Sequence, residues 1–329
     1  MSTIKDVARL ANVSVATVSR VMNNSPKASA ASREVVLKAM AELGYTPNAN
    51  ARALVSQTCD TMGVVVGDVA DPFFGALVKG VAAVAVEQGL HLLMGNGFHR
   101  AQQEREAIEL LIGKRCEALV VHSKALGDEE LVDYALRAPG MVLINRDIPS
   151  LRGRCIALNN RQGAATATRH LLDLGHRHIA FLSSDHAIED ALLRHQGYQD
   201  ALAEAEVFAD PELVESGMPN EEGGERAMLN LLAKGLPITA VVAYNDAMAA
   251  GAISVLADNG LKVPEEVSVV GFDDIIYARY LRPKLSTMRY PIELMAAQAA
   301  KLALQLAAGE SESCLLYTSP SPRDGLLSR

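Results

Sequence analysis

The chain has 329 residues, 49% of them apolar, so it exceeds one typical domain and can bury a large core. The formal net charge is −8 at pH 7, but this charge is unevenly distributed. Residues 1–59 carry seven lysine or arginine side chains against three acidic ones, a net charge of +4, which leaves −12 for the other residues. A basic head on an acidic body predicts a polyanion-binding surface near the N-terminus.

The composition also argues against membrane, secreted and metal-containing proteins. The sequence has no run of about 18 apolar residues, and it starts with a predicted capped helix rather than with the apolar core of a secretory signal. We therefore expect a cytoplasmic protein that does not enter a membrane. The cysteines are isolated and predict reduced thiols, so no metal, disulfide framework or cofactor is expected; they are Cys59, Cys116, Cys155 and Cys314.

The start of the chain predicts two short helices joined by a tight turn. Thr3 and Asp6 have the spacing of a capping box, and Val7 and Leu10 give the first helix an apolar face. The turn ends at Ser14, a favourable N-cap for the second helix. This pattern is typical of a helix-turn-helix.

The second helix is predicted to carry two different faces. Its inward face carries Val18, Val21 and Met22. Its outward face is small, polar and cationic, and carries Val15, Ala16, Thr17, Ser19 and Arg20. Such a surface fits between the phosphate walls of a DNA groove and reaches base edges. An ordinary helical hairpin is the alternative, because this spacing also occurs in proteins that do not bind DNA.

A third helix and a hinge are predicted next. The helix begins at Ser29 and ends at Gly44, and its apolar face carries Val35, Val36, Ala39, Met40 and Leu43. Pro47 then breaks the chain. Residues 48–54, which start with the N-cap Asn48, have too few turns to be stable alone. We expect this segment to order only on a partner.

From residue 60, short β-branched runs alternate with amphipathic helical stretches. The runs predict strands at 62–69, 91–97, 117–123, 141–145, 178–184, 238–244 and 267–273. This alternation predicts an α/β body with doubly wound parallel sheets. So many strands favour two lobes, with a chain crossing near 156–162 and a return near 285–290.

Polar and aromatic side chains follow the predicted strands. They are Asp71, Phe73 and Phe74, then Asn145 and Arg146, Arg194, Asn245 and Asp246, and finally Asp273 and Asp274. Ligands of such folds bind beyond the carboxyl ends of the strands, so these residues predict one site. Carboxylates, amides and arginines around phenyl rings suit a small polyhydroxylated ligand, because each hydroxyl both donates and accepts. A sugar is the natural candidate.

Several separated motifs, in the same order, resemble the lactose and galactose repressor (LacI/GalR) family: TIKDVARLANVSVATVSRVMN, PNANARAL, VADPFFGALV, MVLINR, AVVAYNDAMAAGA and VVGFDD. The resemblance covers about residues 2–309. It implies a homodimeric transcriptional repressor whose core has the periplasmic sugar-binding fold and whose operator DNA is released when a sugar binds. Galactose is the inducer that the resemblance favours, with another hexose or a pentose as the alternative.

The same resemblance assigns the DNA-binding residues. It places the second helix in the major groove, where Val15, Ala16 and Arg20 choose the operator. Residues 48–54 resemble a hinge helix in which Leu54 opens a base step in the minor groove, and a core leucine in a linker is the alternative. The full predicted set is Thr3, Ser14, Val15, Ala16, Thr17, Ser19, Arg20, Asn23, Asn48, Ala51 and Leu54.

The resemblance also assigns an effector-binding set: Asp71, Phe73, Phe74, Asn145, Arg146, Arg194, Asn245 and Asp273. Arg194 and Asp273 match a cation and a carboxylate that reach sugar hydroxyls from opposite sides of a cleft. Phe73 and Phe74 resemble stacking rings, although a core role for one of them is equally supported. Arg146 matches by position, and pairing with a structural acid is its alternative.

Enzyme-like signals are weak, so we expect no catalytic residues and no metal site. Asp273 and Asp274 are adjacent and point to opposite sides, which predicts that one binds ligand while the other caps the next helix. His170, His176 and His178 lack the spacing of a zinc site. A sugar-binding protein without a role on DNA, or an enzyme acting on sugars or nucleotides, remains as a rival class.

The predicted domains are a DNA-binding head at 1–46, a hinge and linker at 47–59, an effector-binding body at 60–312 and a non-native tail at 313–329. Within the body, one lobe takes about 60–157 and 287–309, and the other about 158–286. The tail has prolines and serines where the family pattern has a strand. One possible coding DNA sequence for Cys314 through Asp324 is identical to the end of a transposase sequencing adapter. We therefore hypothesise that the reading frame continues from the gene into adapter sequence, and we expect this tail to be poorly packed.

Overall fold

The structure is a computed structural model that describes residues 2–22, 25, 27–45, 59–310 and 326–327. The chain divides into two compact units, Met1–Cys59 and Asp60–Arg329, which we call the head and the body. No helix among the described residues is long and apolar enough to span a membrane. The predicted hinge at 48–54 lies outside the described residues.

The described part of the head contains three helices, α1 (Ile4–Leu10), α2 (Val15–Met22) and α3 (Ala30–Glu42). The predicted capping box is present at the start of α1, where the Asp6 backbone N–H donates to Thr3 Oγ1 at 3.4 Å and the Thr3 N–H donates to the Asp6 carboxylate at 2.9 Å. Ser29 caps α3 by accepting from the Ser32 N–H. Gly44 follows α3 with φ +56°, as expected of a glycine that ends a helix.

A small apolar core joins the three helices of the head. Val7, Val18 and Val36 are fully buried at its centre. The prediction for Leu10 is wrong, because this side chain is 46% exposed. At 3.6 residues per turn, Leu10 lies about 110° from the middle of the stripe that α1 buries around Val7. Val35 is likewise exposed instead of buried.

The first lobe of the body is a five-stranded sheet in the order β2-β1-β3-β4-β5. Its strands are β1 (Cys59–Val66), β2 (His91–Asn96), β3 (Cys116–Val121), β4 (Met141–Ile144) and β5 (Cys155–Ile156). Helices α4 (Pro72–Glu87), α5 (Ala101–Gly113) and α6 (Asp128–Arg137) connect them, and a 3₁₀ turn (Pro149–Arg154) precedes β5. Strands β1 and β2, β3 and β4, and β4 and β5 pair in parallel.

The second lobe has a sheet in the order β11-β10-β9-β8-β6-β7. Its strands are β6 (Ile179–Ser184), β7 (Val214–Gly217), β8 (Ala240–Ala243), β9 (Ser268–Asp273), β10 (Ser286–Arg289) and β11 (Leu326–Leu327). All recorded pairs are parallel except β10 with β11. The helices are α7 (Asn160–Asp173), α8 (Glu189–Glu204), α9 (Glu221–Ala233), α10 (Asp246–Asp258) and α11 (Ile276–Tyr280), and a 3₁₀ turn (Pro211–Leu213) precedes β7.

The last helix, α12 (Ile292–Ala307), returns to the first lobe and packs on α4, β3 and β4. Because β10 belongs to the second sheet, the return follows Arg289, slightly later than the predicted boundary at 287. Of the predicted tail, the structure describes the pairing of Leu326–Leu327 with β10. The other residues of 313–329 lie outside the described part of the chain.

Helix α4 contains two glycines with opposite surroundings. A Cβ atom built on Gly80 overlaps the carbonyl oxygen of Glu293 where α4 crosses α12, whereas one built on Gly75 meets no described atom within 4 Å. We expect Gly80→Ala to lower the free energy of unfolding by about 1–3 kcal/mol through overpacking. Gly75→Ala should raise it by about 0.5–1 kcal/mol through helix propensity. Denaturant unfolding of both variants tests this, and equal effects would contradict the close helix crossing.

Candidate functional site

The outer face of α2 in the head presents the predicted DNA-contacting side chains. Val15 is 41% exposed, and Ala16 and Arg20 are also exposed. Thr17 and Ser19 are half-buried. Because Val18 and Val21 fill the core on the opposite side, the outer residues share one surface.

The remaining head predictions have mixed outcomes. Ser14 is exposed and accepts from the Thr17 backbone N–H at 3.1 Å, so it caps α2 as expected. Thr3 is exposed at the start of α1. Hydrogen bonds from Thr3 lower the pKa of Asp6 and keep this capping carboxylate charged. Four predicted residues lie outside the described part of the chain: Asn23, Asn48, Ala51 and Leu54.

In the body, the carboxyl ends of strands from both lobes meet around a small cavity of about 50 Å³, which we call the inner cavity. Seven of the eight predicted effector residues line it: Asp71, Phe73, Phe74, Asn145, Arg194, Asn245 and Asp273. Sequence reasoning missed its other lining residues, which are His99, His122, His186, Ile188, Asp190, Pro219 and Tyr244. A larger groove of about 790 Å³ shares six of these residues with the inner cavity and continues outward from it.

Arg194 is the cation of the inner cavity. It projects from α8 and is buried between the rings of Phe272 and Tyr244, at 3.8 and 4.5 Å from their centroids. Its guanidinium donates to Asn160 Oδ1 at 2.9 Å and to the Tyr244 carbonyl oxygen at 2.6 Å. It also lies 3.6 Å from Asp273 Oδ1. These contacts fix the plane of the guanidinium group.

Asp273 is the acid opposite this cation. It ends β9 with φ +110° and is 6% exposed. Burial raises its pKa well above the usual range, while Arg194 opposes that rise. Its Oδ1 atom has no hydrogen-bond partner among the described residues. Asp273 Oδ1 therefore lies close to the Arg194 cation but can still accept a hydrogen bond from a ligand.

The expected capping role of Asp274 is wrong. Helix α11 has Ile275 as its N-cap residue, because the chain continues one residue further before the helix begins. Asp274 lies 3.3 Å from Arg289 Nε on the neighbouring strand β10. The two adjacent aspartates do face different surroundings, as predicted.

The two phenylalanines lie both in the core and at the inner cavity, so their core role is present and their stacking on a sugar stays a prediction. Phe73 and Phe74 are buried in the first turn of α4, whose N-cap Asp71 accepts from the Phe73 N–H at 2.8 Å. Phe73 packs edge-on against Phe74 and Tyr290, at centroid distances of 5.2 and 5.0 Å. Both rings belong to the main core cluster and both line the inner cavity. Burial raises the pKa of Asp71 to about 6.

The predicted amides line the inner cavity but are engaged elsewhere. Asn145 donates to Asp190 Oδ2 at 2.7 Å. Asn245 caps α10 by accepting from the Met248 N–H, and it donates to the Pro219 carbonyl oxygen, both at 2.9 Å.

Arg146 is not brought to the inner cavity. It donates to the Ser123 carbonyl oxygen at 3.2 Å and pairs with Asp128 at 2.6 Å. Asn145 turns the chain with φ +57°, and the next side chain leaves the cleft. The structural pairing, which was the alternative for Arg146, matches its position.

A buried ion pair that the sequence did not predict connects the two lobes. Lys124, which follows β3, donates to Asp190 Oδ1 of α8 at 2.7 Å and also to the Asn145 carbonyl oxygen. The two side chains are 1% and 7% exposed. Asn160 donates to the same Asp190 oxygen at 3.3 Å. The ion pair therefore holds the floor of the cleft together.

A helix-turn-helix head and a two-lobed α/β body with a polar cleft define the class of ligand-responsive DNA-binding regulators. Residues 3–48 match the model of bacterial regulatory proteins of the lacI family, and residues 168–323 match a periplasmic binding protein-like domain. The chain is 60% identical over 307 residues to the HTH-type transcriptional regulator GalR of Escherichia coli K12. The aligned region covers 93% of this chain and 90% of the relative. The chain belongs to the lacI family.

Other relatives and solved structures agree with this assignment. The regulator GalS of Salmonella typhimurium LT2 is 55% identical, covering 94% of this chain and 91% of the relative. The lac repressor dimer bound to operator and the anti-inducer ONPF has a TM-score of 0.86 at 27% identity, covering 100% of this chain and 98% of that chain. A complex of the transcriptional regulator CelR with cellobiose has a TM-score of 0.72 at 30% identity, covering 100% and 99%.

These comparisons confirm the predicted family and fold class. The chain is a DNA-binding, sugar-responsive transcriptional repressor and not an enzyme. The rival interpretation of a sugar-binding protein without a role on DNA is therefore wrong, because the head matches the lacI model.

Asp246 makes the stability of the body depend on pH. It is buried, accepts from Thr287 Oγ1 at 2.6 Å and from the Ile275 N–H at 2.9 Å, and burial raises its pKa to about 7. At pH values between the ordinary aspartate pKa and about 7, Asp246 is therefore protonated in the folded state and ionised in the unfolded state. We expect Asp246 to contribute about 2 kcal/mol to the free energy of unfolding as the pH falls from 8 to 5, while the buried histidines, whose pKa values burial lowers, oppose this gain.

The Asp246→Asn variant is the control for this prediction, because its amide cannot take up the proton. In denaturant titrations over the same pH interval, its free energy of unfolding should gain about 2 kcal/mol less than that of the unmodified chain. If the variant keeps the full pH dependence, another group carries it. Asp273 and Asp71, whose pKa values burial also raises, are the next candidates.

Proposed function

We propose that this repressor controls genes of galactose metabolism or transport and that galactose is its inducer. The observation that carries the proposal is the inner cavity, which Asp71, Arg194 and Asp273 line together with the phenyl rings of Phe73 and Phe74. Hydroxyl groups of a sugar match these donors and acceptors, and the rings match its C–H faces. The 60% identity to GalR supports galactose over another hexose or a pentose.

On DNA, we propose that α2 enters the major groove. Val15, Ala16 and Arg20 would contact base edges there, with Thr3, Ser14, Thr17 and Ser19 contacting the backbone around them. Asn23 and the hinge residues Asn48, Ala51 and Leu54 belong to the same proposed interface. Since the lac repressor is a dimer on its operator, we propose a homodimer on a two-fold operator, acting in the cytoplasm.

Sugar and operator would oppose each other through one coupling free energy. If the sugar favours one arrangement of the lobes and the operator another, each ligand weakens the binding of the other by the same factor. A coupling of about 1–3 kcal/mol corresponds to a change in affinity of about 5- to 150-fold. This is enough for induction.

The test of the inducer is operator binding at fixed salt with galactose, glucose and ribose titrated in parallel. Salt is held constant because phosphate contacts dominate the affinity. We expect the chain to bind a galactose-type palindromic operator. Galactose alone should lower the affinity for this operator, by about 5- to 150-fold. Release by ribose or glucose instead would replace the proposed inducer, and binding that ignores every sugar would contradict the effector assignment.

The DNA-binding face is tested by Arg20→Ala with Arg226→Ala as its matched control. Both changes remove one exposed positive charge, but Arg226 lies on α9 in the body. Loss of a base-edge contact should cost about 1–3 kcal/mol of operator affinity and relax the preference at one base pair. The control should bind as the unmodified chain does. Equal losses in gel-shift titrations would mean that only net charge matters.

A further inference from the structure

Unpaired polar atoms in the body concentrate around the inner cavity. Among residues 2–22, 25, 27–45 and 59–310, seven buried side-chain atoms have no hydrogen-bond partner: His99 Nδ1, Gln103 Oε1, His122 Nδ1, His186 Nδ1, His195 Nε2, Asp273 Oδ1 and the Tyr290 hydroxyl. Four of them belong to residues that line the inner cavity. Buried polar atoms are nearly always paired, so a local concentration of unpaired ones calls for a ligand.

Three of these four residues are histidines that the sequence analysis did not single out. His99 follows β2, His122 follows β3 and His186 follows β6. The His99 ring lies 5.7 Å from that of His122 within the first lobe and 5.2 Å from that of His186 in the second. Phe74 contacts the two first-lobe imidazoles, at centroid distances of 5.0 Å to His122 and 5.9 Å to His99.

The other polar groups of the first lobe on or near the inner cavity already have partners. Lys124 is paired with Asp190, and Asn145 donates to the same carboxylate. Asp71 accepts from the backbone of its own helix. Arg146 is directed to Asp128. Among the described residues, the imidazoles are thus the groups of this wall that have buried nitrogens without a hydrogen-bond partner.

We propose that His99, His122 and His186 hold the hydroxyl groups of the effector, with His99 and His122 binding it from the first lobe and His186 from the second. This inference rests on the proposed function and names the residues that set its specificity. Because His99 and His186 meet across the cleft, a sugar that bonds to both favours the closed arrangement of the lobes.

The chemistry of this wall favours an uncharged polyol over a phosphorylated sugar. Burial lowers the pKa of His99 and of His122, so both rings are neutral and each has one donor and one acceptor nitrogen. The cations near the cavity, Lys124 and Arg194, each face an aspartate already. No group of His, Cys, Asp or Glu in the described part of the chain has the arrangement of a metal site, so the imidazoles are left for hydrogen bonding.

The first test measures D-galactose binding to the full chain by calorimetry in His→Phe variants. His99→Phe, His122→Phe and His186→Phe keep a ring and remove its nitrogens, and each should weaken binding about tenfold to a hundredfold. His122→Asn restores a polar group at the Nδ1 position and should recover part of the loss. The matched control is His195→Phe, whose ring also has an unpaired buried nitrogen but does not line the inner cavity. The affinity of the His195→Phe variant for D-galactose should not change.

Monodeoxy galactoses sharpen the assignment. If His122 bonds to a particular hydroxyl, the loss caused by His122→Phe should disappear against the one sugar that lacks that hydroxyl. The full loss against every deoxy sugar would mean that His122 shapes the cavity without reading a hydroxyl, and it would overturn the proposal.

Thermal unfolding of the sugar-free chain separates binding from structure. Removing an unpaired buried nitrogen should leave the melting temperature unchanged or raise it, whereas a structural histidine would lower it. Unchanged galactose affinity in all three Phe variants would refute the histidine assignment and leave the repressor proposal intact. If the unmodified chain binds no neutral sugar, the proposed inducer and the histidine assignment are both wrong.

Discussion

The buried ion pair between Lys124 and Asp190 is the interaction on which the geometry of the cleft depends. It joins a loop of the first lobe to a helix of the second, and Asp190 accepts in addition from Asn145 and Asn160. Asn160 in turn accepts from Arg194, so one continuous set of hydrogen bonds extends from β3 to the cation of the inner cavity. Buried charges are costly unless their other bonding positions are filled, and here Asn145, which lines the inner cavity, and Asn160 fill those of Asp190.

This network constrains how an effector can enter. The inner cavity, at about 50 Å³, is smaller than the roughly 300–1,000 Å³ of typical ligand pockets, whereas the groove beyond it reaches about 790 Å³. A sugar must therefore move side chains or separate the lobes before the polar groups around Arg194 can surround it. The differential free energy between the two arrangements, and not the total binding energy, determines how strongly a sugar affects the operator.

The sequence predicted the strands with β-branched apolar runs. Seven of the eight residues that the family resemblance assigned to the effector line the inner cavity, and their contact with an effector stays a prediction. Sequence reasoning failed where local geometry decides: the turn at Asn145 directs Arg146 away, and α11 starts one residue later than a cap at Asp274 requires. The short polar strands β7 and β10 have no apolar run and form because a neighbouring strand offers its edge. The cavity histidines follow strands β2, β3 and β6, so the rule on carboxyl ends could have found them.

Because α12 packs on the first lobe, this lobe is formed by two separate segments of the chain. Its apolar side chains, including Met295, Ala299 and Ala303, belong to the same core as Met62 and Val64 of β1. During synthesis the ribosome must therefore complete the second lobe as far as β10 before the helix that closes the first core emerges. Until then the first lobe exposes the groove that α12 later fills, so the lobe that is made first cannot complete its core until most of the second lobe has been synthesised.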